Sequence, residues 1–331
     1  MDSMIYLETD SQEPEYNLAF EEYILNNYRE GNILILWQNR NAVIIGRNQN
    51  TAEEINRQFV EEHDIHVVRR NTGGGAVYHD MGNLNYSFIT DANGVDKATT
   101  QLFLEPVVQA LRSLGLDAEC SGRNDVLLSG KKVSGTAQQL LKGRLLHHGT
   151  LLFDSDSAMI VGALNPDPTK FQSKGVKSVR SRVGNIRSEL KKDMTIGEFW
   201  SYLKEYLSNG NFTQIQLSDE EKNTIKQLRR EKYDTWEWNY GRSSTFDLQN
   251  KKRWDGGLLD IRLTVKSGII TQLGIFGDFL ALQPVKALED ALTGCQYRAD
   301  AIESALAQFP IESYLGSITK EQFIHTLLDI Q

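Results

Sequence analysis

The run Arg69-Arg70-Asn71-Thr72-Gly73-Gly74-Gly75-Ala76-Val77-Tyr78-His79-Asp80 decides how the rest of the chain is read. Three residues without side chains let main-chain N–H groups come close to a phosphate or a carboxylate, and Arg70 adds a planar fork of donors with permanent charge. The combination suits an anion gripped by backbone. Its flanks place it in the fold: His66-Val67-Val68-Arg69 reads as a short strand leading in, and Leu84-Asn85-Tyr86-Ser87-Phe88 alternates as a strand leading out. The glycines are therefore expected in a loop between sheet strands, where sites are usually built. The run is no dinucleotide fingerprint, because Tyr78 stands where a third glycine would be needed, and no G-x-x-x-x-G-K-S/T occurs in the chain. Neither a Rossmann fold nor a P-loop architecture is expected.

Upstream, Leu18, Ile24, Leu25 and Tyr28 are spaced for one helical face, with Glu21 and Glu22 opposite and Asn17 as the cap. Ile33 to Trp37 and Ala42 to Ile45 read as strands separated by the turn-like Gln38 to Asn41, and Gly46 to Asn50 leads into a helix through Glu62. Downstream, Leu104, Val107, Val108, Leu111 and Leu114 form a helical stripe. Short strands follow at Asp125 to Leu128 and Leu145 to Leu152, with the polar string Ser129-Gly130-Lys131-Lys132 after the first. Helical spacing returns at Ile196, Phe199, Trp200 and Leu203, and near Ile225 and Leu228. This irregular alternation with hairpins predicts an α+β fold with a mixed or antiparallel sheet rather than a doubly wound one. Trp236-Glu237-Trp238-Asn239-Tyr240-Gly241 then gives way to small polar residues, as at the end of a packed unit. Beyond it, Leu259 to Val265 alternates strictly into a hairpin with Ile269-Ile270-Thr271, and two or three helices follow. The expected division is a large domain over 1–241 and a small α+β domain over 242–331.

A chain of 331 residues with 40% hydrophobic and 24% charged residues has ordinary globular composition. Its net charge of −8 argues against non-specific nucleic-acid binding. Basic residues nonetheless crowd one stretch, Lys170, Lys174, Lys177, Arg180, Arg182 and Arg187, which suits a lid over an anionic ligand. Cys120 and Cys295 lie far apart outside any C-x-x-C pattern, so neither a disulfide framework nor a zinc site is indicated, and a reducing cytoplasm is expected. No apolar run approaches the ~20 residues of a membrane span, and with no coiled-coil pattern a monomer is expected.

Further polar clusters follow the glycine run: Ser121-Gly122-Arg123-Asn124-Asp125, then Lys131-Lys132-Val133-Ser134-Gly135-Thr136-Ala137, then His147-His148-Gly149-Thr150-Leu151-Leu152, and Lys177-Ser178-Val179-Arg180-Ser181-Arg182-Val183-Gly184-Asn185. Taken together in this order and at these separations, they closely resemble the lipoate–protein ligase family. The resemblance extends over most of the chain, through the Trp236 to Gly241 segment to Gly294-Cys295-Gln296-Tyr297-Arg298-Ala299-Asp300-Ala301-Ile302.

The resemblance implies a biotin/lipoate ligase-like, class II synthetase-like catalytic domain with a C-terminal accessory domain. It also implies a two-step reaction at one site, in which lipoate and ATP give lipoyl-AMP and pyrophosphate. The acyl group then passes to a lysine of an acceptor, the lipoyl domain of a 2-oxoacid dehydrogenase E2 subunit or the glycine cleavage H protein, with octanoate as a possible competing acid. Lys132 matches the family's essential lysine, near both the acyl carbonyl and the phosphate. Arg70, Gly75, Ala76, Val77, Tyr78, Lys132, Ser178, Val179 and Arg182 match ATP-binding positions. Arg70, Thr72, Gly74, His79, Lys132, Ala137 and His148 match the lipoate pocket. Asp125, with Asn124 beside it, is the expected place for magnesium, a hard cation that takes carboxylate and amide oxygens with phosphate. The rival reading is an octanoyl or lipoyl transferase that uses a thioester donor and an acyl-enzyme cysteine without ATP. Such enzymes lack the C-terminal domain, and no catalytic role is expected for Cys120.

Overall fold

The computed structural model describes residues 3–92, 100–122, 124–164, 183–241, 248–266 and 268–328. The chain opens with β1 (Met4–Glu8), α1 (Pro14–Asn27), β2 (Ile33–Trp37) and β3 (Ala42–Ile45). Two short helices, α2 (Thr51–Glu54) and α3 (Arg57–Glu62), lead to β4 (His66–Arg69), β5 (Val77–His79) and β6 (Asn83–Asp91). Then come α4 (Thr100–Ser113), β7 (Ala118–Ser121), β8 (Asp125–Leu128), β9 (Lys131–Leu141), β10 (Arg144–Leu152) and α5 (Ser157–Ala163). Helices at Ile196–Leu207 and Asp219–Leu228 flank β11 (Phe212–Gln214), and Trp236–Asn239 forms one helical turn. The last part holds β12 (Leu248–Trp254), β13 (Gly257–Lys266) and β14 (Ile269–Gly277), followed by helices at Lys286–Leu292, Ala299–Ala305, Ile311–Leu315 and Lys320–Leu327.

Eight strands form one sheet in the order β11-β1-β2-β6-β10-β9-β8-β7. It is mixed: β1 runs parallel to β11 and β2, and every other neighbour is antiparallel. Both faces are covered, which is why β2 can read Ile33-Leu34-Ile35-Leu36-Trp37 with all five residues buried. Leu34 and Leu36 point with Tyr86 and Phe88 toward α4 and the Ile196–Leu207 helix. Ile33, Ile35 and Trp37 point the other way, toward Leu18, Ile24 and Leu25 of α1. On that second face lies a smaller sheet, β4-β3-β5, which contributes Ile44 and Val68 to the same core. The glycine run connects β4 to β5 and so sits at the seam between the two sheets. The β12-β13-β14 sheet buries Leu259, Ile261, Leu263 and Ile275 against the C-terminal helices in a core of its own.

Local departures from the expected elements have physical causes. Helix α1 begins at Pro14, whose fixed φ and missing N–H suit a first helical position, so Asn17 is no cap. Asn17 is buried inside the helix, with its amide donating to Ser11 O and Gln38 O at 3.1 and 2.8 Å. Glu21 and Glu22 do not face solvent either: Glu21 is 5% exposed, and Glu22 takes bonds from Lys232 and Tyr233. The expected helix through Glu62 is broken at Ile55, which is extended between α2 and α3. The polar Lys131 and Lys132 begin a strand rather than a loop. Ser129 and Gly130 alone turn the β8–β9 hairpin, both with positive φ (49° and 75°). The polar strand β12 and four C-terminal helices complete what the apolar pattern left unread. Among the described residues no helix is long and apolar enough to cross a membrane.

Candidate active site

A cavity opens between the two sheets of the larger part of the chain. Arg70, Gly74, Gly75, Ala76, Val77, His79, Lys132, Ala137 and His148 all line it. The sheet rows explain the convergence. Trp37 pairs with Asn85, Asn85 with Thr150, and the N–H of Gly135 on β9 reaches Thr150 Oγ1 at 3.3 Å, giving a floor that runs across four strands. Two residues further along β10, and so on the same face, His148 lies opposite Ser87 on one side and Ala137 on the other.

Lys132 sits at one end of this floor. Its Nζ lies 2.7 Å from Asp125 Oδ1, and a Cβ placed on Gly135 would meet Nζ at 3.0 Å. Beside it, Asn124 Nδ2 donates to Thr136 O at 2.7 Å, which leaves the amide oxygen and the Asp125 carboxylate as neighbouring hard donors. Among the described residues no three acidic, histidine or cysteine side chains converge as a metal cluster. Leu18, Trp37 and Ile44 make the apolar lining.

The loop is held by its own arginines. Arg70, 6% exposed, donates through Nε to Thr72 Oγ1 (2.9 Å), through Nη1 to Ile44 O (3.0 Å) and through Nη2 to Gly73 O and Gly75 O (2.6 and 2.9 Å). Most of the expected open fork is thus spent on carbonyls, and Arg70 acts as a brace that shapes the loop from inside. Burial pulls its guanidinium down to about 10, partly offset by the nearby Glu21 carboxylate, so it stays charged at neutral pH. Arg69 is likewise a clamp, donating to Gly46 O, Gln49 O and Trp238 O. Gly74 has φ +88°, which favours glycine, whereas a side chain on Gly75 would meet nothing within 4 Å, so that residue presents bare backbone.

Behind the cavity wall runs a relay. Trp37 Nε1 donates to Ser87 Oγ (2.9 Å), Ser87 Oγ to Glu21 Oε1 (2.5 Å), and His148 Nδ1 to the two Glu21 oxygens (2.9 and 3.0 Å). His148 Nε2 meets Thr72 Oγ1 at 2.8 Å, and Thr72 in turn accepts from Arg70. Thr72 therefore joins the His148 wall to the glycine loop without lining the cavity itself. His79 is held neutral: burial first, then the Arg70 guanidinium, lowers its pKa to about 3.

Some expected residues fall elsewhere. Tyr78 turns its side chain into the core around Val43 and Ile45, with its hydroxyl donating to Asn41 Oδ1 at 3.0 Å, so only its backbone remains near the loop. Arg187 faces away, bonded to Asp193 and Asp154 at the surface. Ser178, Val179 and Arg182, with the rest of the lid expected from Lys170 to Arg182, lie outside the described residues. The chain re-enters beside the site, however: Val183 bridges to Lys132 in parallel and Gly184 N donates to Lys132 O at 2.9 Å. Cys120 lies exposed on β7, away from the lining. Glu21, Asn39, Trp37 and Asn85 were not singled out from the sequence, since each looks there like an ordinary helix, turn or strand residue.

This architecture is a known one. Residues 13–208 match the family model described as the lipoyl protein ligase A/B catalytic domain, and residues 243–327 match the bacterial lipoate protein ligase C-terminus. Lipoate-protein ligase LplJ of Bacillus subtilis is 45% identical over 97% of this chain and 99% of its own length. Lipoate–protein ligase 1 of Staphylococcus aureus is 43% identical over 95% and 97%. Among solved structures, P. falciparum LipL1 in complex with lipoate superposes with a TM-score of 0.78 at 24% identity, covering 98% of both chains. A bipartite ligase of Thermoplasma acidophilum, described with its E2 lipoyl domain, gives 0.65 at 32% identity over 75% of this chain and all of that one. A lipoate-protein ligase A bound with ATP gives 0.62 at 32% identity over 73% and 99%. The chain belongs to the lipoate–protein ligase family and is a ligase.

Proposed function

We propose that this ligase activates free lipoate with ATP to lipoyl-AMP, releasing pyrophosphate, and then passes the lipoyl group to one lysine of a lipoyl-domain acceptor. The observation that carries this reading is a cavity with an ammonium at one end and an apolar lining of Leu18, Trp37 and Ile44, beneath a loop of bare backbone. A carboxylate drawn to Lys132 is placed to attack the α-phosphate of a nucleotide lying along the glycine loop. Two anions must approach there, so the fixed positive charge of Lys132 lowers the barrier most where negative charge develops. In the second step the acceptor's neutral amine attacks the acyl carbonyl and AMP leaves, with Lys132 next to the oxyanion.

The proposed roles follow the expected ones: Lys132 catalytic; Arg70, through the loop carbonyls it holds, the Gly75 to Tyr78 backbone, Ser178, Val179 and Arg182 toward ATP; Thr72, through its bonds to Arg70 and His148, with Gly74, His79, Ala137 and His148 toward lipoate. The ATP-bound and lipoate-bound relatives support both ligands, and the Thermoplasma relative supports an E2 lipoyl domain as acceptor. The glycine cleavage H protein is a second proposed acceptor. Asp125 and Asn124 fit magnesium in donor type, since a nucleotide-bound ion needs only one or two protein oxygens; the ion would compensate phosphate charge. A cytoplasmic monomer divided near Gly241 completes the proposal.

The test is acyl transfer to a purified lipoyl domain, followed by intact mass. Modification of a single lysine that requires ATP is expected. Acylation with nucleotide rigorously excluded, from a thioester donor, would overturn the reading in favour of the transferase route.

A further inference from the structure

We propose that His79 donates an N–H to a ring sulfur of lipoate and thereby selects it over the sulfur-free octanoate, with Asn39 as the residue that makes His79 a donor. The proposal rests on the reading that this cavity takes lipoate, and it assigns the selectivity of that site.

The protonation pattern follows from the hydrogen bonds, starting outside the cavity. Asn17 Nδ2 faces the carbonyls of Ser11 and Gln38, and Asn17 Oδ1 accepts from Thr9 Oγ1 at 2.5 Å, so that amide can be oriented only one way. The same Nδ2, whose two protons are shared among three oxygens, lies 2.9 Å from Asn39 Oδ1; a flipped Asn39 would set amide nitrogen against amide nitrogen there, so its oxygen faces Asn17 and its Nδ2 is left as a donor. Asn39 Nδ2 in turn lies 3.1 Å from His79 Nδ1. That nitrogen must therefore present a lone pair, and the neutral ring carries its proton on Nε2. His79 is 3% exposed and lines the cavity, and among the described residues its Nε2 has no hydrogen-bond partner. A buried donor without an acceptor is costly, and one at a cavity wall marks where a ligand acceptor belongs.

Its position identifies which part of the acid that is. The His79 ring sits edge-on to Trp37 at 6.3 Å, and Trp37 pairs with Asn85 on β6. Lys132 stands beyond Gly135 on β9, two strands further across the sheet, roughly 10 Å away at ordinary strand spacing. An eight-carbon acid with its carboxylate at Lys132 therefore delivers its far end to His79. Asn85, whose Oδ1 accepts from Asn83 Nδ2 at 3.0 Å, lines the cavity at the same end with a second amide donor that has no partner among the described residues. Lipoate carries ring sulfurs there, which accept weakly. Octanoate carries a methyl group, which leaves both donors stripped of water and unpaired.

Asn39→Asp inverts the arrangement at constant volume. A carboxylate at that position still accepts from Asn17 and now draws a proton onto His79 Nδ1, which moves the lone pair to Nε2. Nitrogen-15 spectra of the His79 ring report where the proton resides, and pyrophosphate release reports kcat/KM for lipoate and for octanoate. The lipoate-to-octanoate ratio must follow the Nε2 proton. Where Nε2 has lost it, the ratio falls roughly tenfold; where both nitrogens are protonated, the ratio holds at the wild-type value. His79→Leu, which removes the donor, should lower the ratio in the same direction. In the wild-type protein, lipoate and not octanoate should shift the Nε2–H resonance downfield. An unchanged ratio with an inverted ring, or equal shifts with both acids, overturns the assignment. Wild-type protein that releases pyrophosphate with neither acid would instead overturn the activity on which it rests.

Discussion

Removal of the Glu21 carboxylate should cost far more than its place on an amphipathic helix suggests. In Glu21→Ala two donors lose their acceptor at once, His148 Nδ1–H and Ser87 Oγ–H, in a region where Glu21 and His148 are 5% and 8% exposed. Each orphaned buried donor costs about 1–3 kcal/mol, so the variant should lose about 4 kcal/mol of stability. Glu21→Gln keeps one oxygen for His148 and leaves only the Ser87 contact to rearrange, a loss of about 1 kcal/mol. Urea unfolding followed by circular dichroism measures both, and a lower midpoint at unchanged slope identifies a stability effect. The effect should also reach the loop, because His148, Thr72 and Arg70 are bonded in series. A Glu21→Ala protein within about 0.5 kcal/mol of wild type, as expected for the exposed Glu61, would refute the relay.

Lys132→Ala should abolish adenylate formation while the protein stays folded, because its ion pair with Asp125 is about one-third exposed and worth at most about 1 kcal/mol; an adenylate yield at the wild-type rate would count against the assignment. Cys120→Ser should leave ligation nearly unchanged, since the thiol lies exposed on β7, and complete loss of transfer would point to a thioester route. His147 is buried between Gln138 and Phe103 and held neutral, its pKa lowered by burial to about 3. The unfolded chain then binds the extra proton between about 6.5 and 3, so this contribution is intact above pH 6.5 and erodes as pH falls. At pH 5 the erosion is about 2 kcal/mol, and His147→Phe should recover that amount relative to its own stability at pH 7. Parallel pH dependences for the two proteins would refute it.

The apolar runs were legible because they need no partner to be recognised. Ile33 to Trp37, Ala42 to Ile45 and His66 to Arg69 form strands with the expected limits, and the glycine run lies between β4 and β5 at the cavity. Strands β9 and β12 escaped because Lys131 to Leu141 and Leu248 to Trp254 mix polar and apolar residues, and their pairing is stabilised by neighbours distant in sequence. The buried polar residues escaped for a related reason. A glutamate on a helix gives no local sign that Ser87 and His148 await it across the sheet, and Asn39 in a turn gives none that it sets a histidine tautomer. Arg70 was read as a free fork because the carbonyls it holds are grouped only once the loop is folded.

The central claim is that this protein couples a fatty acid to AMP before any acceptor arrives. Pyrophosphate release from ATP on adding lipoic acid, with no acceptor protein present, measures that step directly. Release that needs both substrates, with lipoyl-AMP retained on the protein, is the predicted result; release that begins only when a lipoyl domain is added would contradict it.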